Sequence, residues 1–302
     1  MELPNHLKSL YRHWPRHTSL STKEVSGLPA EIAWFVQERV KMWEQKSSDL
    51  PKPYTKDPIL ANYRFCNIFR ELDRQTIEIH QLLNPLRDHF ALWLMNLFYA
   101  RMVARPSTLV ATGLLSFKNQ ENADVYKRLV ALPSPKYGTP YVFPISVIQR
   151  SHTPTREAFA TQYLPQVMEK VAREIQTWDK SSVYNGVQKV IPLFGFPLRF
   201  LWTETLIDVA YQYPEYVDLF KRFPIGPGAL PTFEKLSAKD PSLFVEVLAE
   251  KSFTTNITYE GRPLKLSAEN WEGVGCEYRK YTNLKAGRGR RRIYKAAKAS
   301  LF

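Results

Sequence analysis

The sequence has few of the residues that build metal sites or nucleotide-binding loops. Its two cysteines, Cys66 and Cys276, form no CxxC motif, and the chain has no HExxH motif. We therefore expect neither a structural zinc nor a catalytic metal. The GxxxxGK[ST] loop that holds phosphates in P-loop proteins is also missing. These absences argue against metalloenzymes and P-loop kinases, and we expect no cofactor.

Long apolar runs are also absent from the chain of 302 residues. The two longest, Ala91 to Ala104 and Val190 to Trp202, contain charged residues such as Arg101 and Arg199, and both fall short of a membrane span. The N-terminus has basic residues and prolines but no apolar signal segment. We therefore expect a cytoplasmic protein without a membrane partner, and we expect it to be a monomer.

Acidic residues are missing from residues 278–302, a segment that we call the basic tail. The tail contains nine lysines and arginines, in a chain whose net charge is +13. Such a charge favours binding to nucleic acid with release of counterions, and a solvated tail without function is the alternative. Interleaved glycines would let the backbone approach phosphates closely. The DNA-binding residues that we expect here are Arg288, Arg290, Arg291 and Arg292.

Helical periodicity dominates the pattern of apolar residues. We predict a mainly α fold, organised as a single helical DNA-processing domain over residues 1–302 with a small β insertion. A boundary near Ser151 is the alternative. The insertion is predicted as a hairpin in residues 253–267 that turns at Glu260 and Gly261. The predicted helices are Pro29–Glu44, Ile59–Gln81, Leu86–Arg101, Arg156–Thr177, Arg199–Tyr211, Tyr216–Phe223, Leu230–Leu236, Pro241–Glu250 and Ser267–Tyr281.

The segment from Tyr63 to Thr76, YRFCNIFRELDRQT, has the spacing of an amphipathic helix. That helix would place Arg70 and Asp73 in a stripe with residues that prefer burial. One interpretation is an ordinary surface ion pair, which contributes little to stability. The other is that both side chains face a polar pocket, because charges flanked by buried positions need partners and often mark a site.

Two glycines, Gly226 and Gly228, lie in a predicted turn between two short helices within residues 214–236. The backbone N–H groups of such a turn, together with the N-terminus of the following helix, can bind a phosphate. A helix-hairpin-helix motif grips DNA in this way. A helix stop with a purely structural role is the alternative.

Two carboxylates, Glu272 and Glu277, lie on the predicted C-terminal helix. Lys280 and Tyr281 follow Glu277 by three and four residues and therefore lie beside it. A carboxylate in a basic element that faces DNA either forms an ion pair that orders the helix or acts as an acid or base. Both interpretations stay open from these residues alone.

Three stretches together resemble a known family: DPILANYRFCNIFRELDRQT, FPIGPGALPTFEKL and WEGVGCEYRKYTNLKAGRGRRRIY. In this order they look like the signatures of the α-glutamyl/putrescinyl thymine pyrophosphorylases and of the helical domain of 5-hydroxymethyluracil DNA kinases. The resemblance covers residues 32–294. It implies a helical fold similar to that of the helix-hairpin-helix DNA glycosylases, and a link to hypermodified pyrimidines in phage DNA.

The resemblance also implies a shared site, for which we expect two groups of residues. One departure from the family pattern is Arg279, which stands in CEYRKY where the family usually has an acid, so a catalytic acid is excluded at that position. The expected catalytic residues are Asp73, Glu277 and Lys280, and the expected substrate pocket consists of Asn67, Arg70, Glu272 and Tyr281.

The function expected from the sequence is that of a DNA glycosylase. It would flip a hydroxymethylated or glycosylated pyrimidine out of double-stranded phage DNA and hydrolyse the N-glycosidic bond, as a defence against phages. Asp73 or Glu277 would stabilise the charge on the sugar or activate water. One alternative is a base-hypermodifying transferase that displaces pyrophosphate from an activated hydroxymethylpyrimidine, with Arg70, Lys280 and Arg288 at the leaving group. The other is a non-catalytic DNA-binding module.

Overall fold

The computed structural model describes residues 1–19, 28–138, 143–236, 239–251 and 253–289. Short 3-10 turns occupy Arg70–Leu72 and Asn84–Leu86, and a π-helical turn occupies Phe159–Tyr163. The strands of this part of the chain are β1 (Ser181–Ser182), β2 (Val217–Asp218), β3 (Thr254–Tyr259) and β4 (Arg262–Lys265). Its helices are α1 (Asn5–Leu10), α2 (Trp14–His17), α3 (Ala30–Ser47), α4 (Pro58–Asn62), α5 (Arg74–Leu83), α6 (Phe90–Val103), α7 (Pro106–Thr112), α8 (Asn119–Ala131), α9 (Ile145–Arg150), α10 (Arg156–Ala158), α11 (Leu164–Gln176), α12 (Val183–Phe194), α13 (Arg199–Gln212), α14 (Leu230–Lys235), α15 (Pro241–Glu250) and α16 (Ala268–Lys285).

The chain divides into two compact units. Unit 1 comprises the described residues of Met1–Lys8, Trp14–Asp73 and Arg222–Phe302, and unit 2 comprises those of Ser9–His13 and Arg74–Lys221. The elements confirm the predicted mainly α fold with a small β insertion. The likeness to helix-hairpin-helix DNA glycosylases stays a prediction, and so does the single domain with its alternative boundary near Ser151.

Unit 2 is built around α6, which is buried on every side from Trp93 to Val103. Helices α5, α7, α11 and α13 pack against it. Arg101, the charge that interrupts this apolar run, donates through Nε and Nη2 to the two carboxylate oxygens of buried Asp208, at 2.5 and 2.6 Å. His80 Nε2 lies 3.2 Å from the same carboxylate. Because these buried charges are paired and hydrogen-bonded, the core can contain them.

Among the described residues, no single helix is long and apolar enough to cross a bilayer. Helices α12 and α13 reach that length and composition only as a pair, and the pair bends by 118° at its break.

Unit 1 is organised along α16, against which α3, α4, α14 and α15 pack. The helix begins at a capping box, in which Ser267 Oγ accepts the N–H of Asn270 and Asn270 Oδ1 accepts the N–H of Ser267. Strands β3 and β4 form the predicted hairpin. Its turn residues Glu260 and Gly261 both have positive φ, as a two-residue type I′ hairpin turn requires. The predicted position of this hairpin is confirmed.

Two of the predicted helices are wrong. Instead of a helix over Tyr216–Phe223, strand β2 pairs in parallel with β1, so a long-range contact of unit 2 overrides the local pattern. The predicted helix Ile59–Gln81 is interrupted: α4 ends at Asn62, and α5 begins at Arg74. The residues between them, 63–73, are named the site loop.

Candidate functional site

The site loop is kept out of an α-helix by hydrogen bonds between its own polar side chains and its backbone. Asp73 Oδ1 accepts the N–H of Asn67 at 3.1 Å, and Asn67 Nδ2 donates to the carbonyl oxygen of Leu72 at 2.8 Å. Asn and Asp side chains commonly compete with helical hydrogen bonds in this way. The expectation that Arg70 and Asp73 share a stripe of one helix is therefore wrong, although both residues belong to the site loop.

Helix α16 holds the site loop through two side chains on one face. Glu277 Oε2 accepts the backbone N–H of Cys66 at 3.1 Å, and Lys280 Nζ donates to the carbonyl oxygen of Arg64. The Lys280 ammonium also lies 3.5 Å from Glu277 Oε2 and 4.5 Å from the centre of the Phe65 ring. Because residues three apart on a helix are neighbours, the pair can bind successive peptide groups of the loop.

Arg39 from α3 completes this support, and sequence reasoning missed it. Its Nη2 donates to the carbonyl oxygens of Cys66 and Phe65, at 3.0 and 3.4 Å, and its guanidinium lies 5.5 Å from the centre of the Phe65 ring. The signal was present in the sequence, because Arg39 stands in the apolar stripe of α3 between Phe35 and Val40, and all three are buried.

The carboxyl group of Asp73 has an unusual acidity. Desolvation raises its pKa from an ordinary value of 3.8 to about 6, and the negative charge of Glu277 adds to the increase. The Asn67 N–H and the positive charges of Arg70 and Arg39 oppose it. Three of the predicted site residues, Asn67, Arg70 and Glu277, therefore act on the carboxyl group of a fourth, Asp73. A pKa near the operating pH is what general acid–base catalysis requires.

The raised pKa predicts that Asp73 makes the fold less stable as the pH rises. Between about pH 4 and pH 6 the folded chain keeps a proton on Asp73 that the unfolded chain has released. The stabilisation from this proton is therefore complete below about pH 4 and is lost as the pH rises through 6. The asparagine of Asp73→Asn cannot titrate. We therefore expect the melting temperature of this variant, relative to that of the wild type, to rise between pH 4 and pH 7. A difference that stays constant with pH would contradict the raised pKa.

The glycine turn makes its hydrogen bonds within unit 1. Gly226 N–H donates to Glu272 Oε1 at 3.1 Å, so a carboxylate of α16 takes one of the donors expected to bind phosphate. Arg279 Nη1 donates to the carbonyl oxygen of Pro227 at 2.8 Å, which gives a structural role to the residue that departs from the family pattern. A β-carbon on Gly228 would lie 2.6 Å from Cys276 Sγ. Close packing against α16 therefore explains this glycine, and phosphate binding by the turn stays a prediction.

We expect Gly228→Ala to reduce the free energy of unfolding by about 1–3 kcal/mol, because the new methyl group overlaps the Cys276 sulfur. The double variant Gly228→Ala with Cys276→Ala should recover most of the loss, since the next nearest atom of Cys276, its Cβ, is 3.6 Å away. Denaturant unfolding measures both effects. Gly273→Ala is the matched control, because nothing beyond its chain neighbours and the backbone of its own helix lies within 4 Å of its added β-carbon. Equal stability of Gly228→Ala and the wild type would contradict this packing.

The remaining predicted residues are Tyr281, Arg288 and three further arginines of the basic tail. Tyr281 is buried, and its hydroxyl donates to Asp57 Oδ2 at 2.8 Å, while Asp57 also caps the N-terminus of α4. Arg288 is exposed just beyond α16. The structure does not describe Arg290, Arg291 and Arg292. The roles expected for all these residues stay predictions.

Comparison with known protein families gives a match over most of the chain. The model of the 5-hmdU DNA kinase helical domain aligns with residues 28–290. The chain belongs to this family. Membership in the 5-hmdU DNA kinase helical-domain family confirms the resemblance seen in the three sequence stretches.

One curated relative of the chain is a 5-hmdU DNA kinase of Bacillus phage SP10. The two sequences are 35% identical over 83 residues, which is 26% of this chain and 13% of the relative. The match thus spans a small part of that relative's length. No solved structure matches the chain.

These matches correct the expected activity. The prediction of a DNA glycosylase is wrong, because both names describe a DNA kinase, which transfers phosphoryl groups and does not hydrolyse N-glycosidic bonds. The expected defence role depended on base excision and therefore has no support. The link to modified pyrimidines in DNA and to bacteriophages is supported by the family and by the phage relative.

Proposed function

We propose that this helical domain takes part in group transfer to the 5-hydroxymethyl substituent of a pyrimidine in double-stranded DNA. The observation that carries the proposal is the Asp73 carboxyl group, whose pKa is raised to about 6 in the site loop of a chain that belongs to a family named for 5-hmdU DNA. A hydroxymethyl oxygen needs a base to become a nucleophile, and a carboxylate titrating just below neutral pH suits that role.

In the first form of the reaction, a phosphoryl group passes from a nucleoside triphosphate to the hydroxymethyl oxygen. The O–H proton moves to Asp73, the new O–P bond forms, and the nucleoside diphosphate leaves. With Oδ1 of Asp73 bound to the Asn67 N–H, we assign Oδ2 to the substrate proton. Arg70, whose positive charge lowers the pKa of Asp73, would stabilise the phosphoryl oxygens.

A second form is supported by the resemblance of three sequence stretches to the thymine pyrophosphorylases. Here an amine displaces pyrophosphate from an already activated hydroxymethylpyrimidine, so that a C–N bond forms and the C–O bond to pyrophosphate breaks. Asp73 takes the amine proton, and the leaving group is stabilised by cationic side chains such as Arg70. The reacting atom of the substituent is its methylene carbon in this form and its oxygen in the first, and Asp73 accepts the proton in both.

The test is mass spectrometry of nucleosides from duplex DNA that contains 5-hydroxymethyluracil, after incubation with the protein, ATP and Mg²⁺. A mass gain of one phosphoryl group on the modified base, absent from a thymine control duplex, is the expected result. A second reaction uses DNA with a pyrophosphorylated hydroxymethyl group and an amine donor, and it follows pyrophosphate release. If neither reaction changes the DNA covalently, the proposal is overturned.

A further inference from the structure

Trp34, on α3 of unit 1, is unusual among the tryptophans of the protein. All seven lie in the described part of the chain; Trp34 is 40% exposed, and the other six are buried. A large apolar ring left in water has an unfavourable contact with solvent that folding would normally remove. An aromatic ring at the surface also offers a face on which a nucleic-acid base can stack.

The ring is supported from behind by other aromatic side chains. Its centre lies 5.9 Å from that of Tyr281, which in turn stacks on Tyr278 with centres 6.2 Å apart and planes inclined by 27°. The buried ring of Phe35 lies against both tyrosines, with its centre 5.5 Å from the centre of the Tyr281 ring and 5.6 Å from that of the Tyr278 ring. Trp34 therefore projects from an ordered aromatic cluster, and little side-chain entropy would be lost when a planar ligand binds to it.

The charge beside this cluster suits a polyanion. Lys285 Nζ lies 5.9 Å from the centre of the Tyr281 ring, and exposed Arg288 follows where α16 ends. Beyond Arg288, the sequence of the basic tail adds more arginines and lysines and no acid. The nearby carboxylates of Glu31 and Asp57 accept the two tyrosine hydroxyls and so help to fix the rings in place.

We propose that Trp34 stacks on an unpaired base of a DNA strand while Lys285 and Arg288 neutralise its phosphates. This inference rests on the proposed function, because an enzyme that acts on a base extrudes it from the duplex and leaves unpaired bases at the site. Stacking on an aromatic ring does not depend on the identity of the base, so Trp34 contributes affinity and not sequence preference. The ligand class is single-stranded or locally unpaired DNA.

The test is binding of the full chain to a labelled 15-nucleotide strand of thymidylate. Fluorescence anisotropy of the label and the emission of the protein's tryptophans measure the binding. Trp34→Ala should weaken binding by about tenfold, and Trp34→Phe by less, because phenylalanine keeps a stacking face. Leu50→Ala is the matched control: Leu50 is 50% exposed in the same unit, and its loss should change the Kd by less than about twofold. Bound DNA should also quench the tryptophan emission of the wild type and reduce the further quenching of that emission by acrylamide.

The outcomes separate this inference from the proposed function. If the wild type binds DNA and Trp34→Ala binds it as tightly as Leu50→Ala does, Trp34 has only a packing role and the inference is overturned. The same conclusion follows if bound DNA leaves acrylamide quenching of the wild type unchanged, a measurement that needs no variant to fold. If the wild type binds neither single-stranded nor duplex DNA, the proposed function fails together with the inference.

Discussion

Asp73→Asn is expected to lower the turnover of duplex DNA containing 5-hydroxymethyluracil by about 10²- to 10⁴-fold, the range that general acid–base catalysis contributes. Asparagine keeps the shape of the side chain and an oxygen that can accept the Asn67 N–H, but it cannot take a proton. The Kd for DNA should therefore stay close to that of the wild type while the single-turnover rate falls. Melting at pH 7 shows whether the fold is kept.

Two other variants make this result specific. Glu234→Gln removes an exposed carboxylate from α14 of the same unit and should leave the rate unchanged. Glu277→Gln keeps an acceptor for the Cys66 N–H, and Glu277 acts here as a positioning residue, so we expect a smaller loss than for Asp73→Asn. If Glu277→Gln is inactive and Asp73→Asn is fully active, the two roles are reversed.

The second large effect concerns the basic tail. Deleting residues 290–302 removes five of its nine basic residues and leaves α16, which ends at Lys285, complete. If all five contact phosphates, the slope of log K against log salt concentration should become less steep by about 4, and binding at low salt should weaken by several orders of magnitude. Anisotropy titrations between 50 and 300 mM salt, on the order of physiological ionic strength, measure the slope.

A full-length variant in which these five residues are replaced by glutamine separates charge from chain length. It should match the truncated chain in both slope and affinity. An unchanged slope in either variant would mean that the tail does not contact the DNA backbone.

Local signals predicted the elements that depend on local structure. The hairpin is predicted from the strand-like residues on both sides of Glu260 and Gly261, and the structure shows positive φ at both positions, which glycine adopts readily. The C-terminal helix was found from its apolar spacing, and the structure shows that Ser267 and Asn270 cap its start. In these cases the nearest neighbours in the sequence determine the backbone conformation.

Long-range contacts, together with the hydrogen bonds that Asn67 and Asp73 make inside the loop, explain why the site loop was not predicted. Residues 63–73 have helical spacing, but their backbone groups bind Arg39, Glu277 and Lys280, which are distant in sequence. No pattern within the loop itself reports these partners. Charged side chains at apolar positions of the predicted pattern mark Arg70 and Asp73 as candidates and would equally mark Arg39, and the roles expected for Arg70 and Asp73 stay predictions.

Helix α16 sets a strict spacing on the sequence. Glu272 binds the glycine turn, Glu277 and Lys280 bind the site loop, and Tyr281 binds the cap of α4. Each inserted or deleted residue rotates the rest of a helix by about 100°. A single insertion between Glu272 and Glu277 would therefore turn one set of contacts away from its partners while the other stays in place. Point substitutions can remove these contacts one at a time, whereas a change in the length of α16 would separate the glycine turn from the site loop in a single evolutionary step.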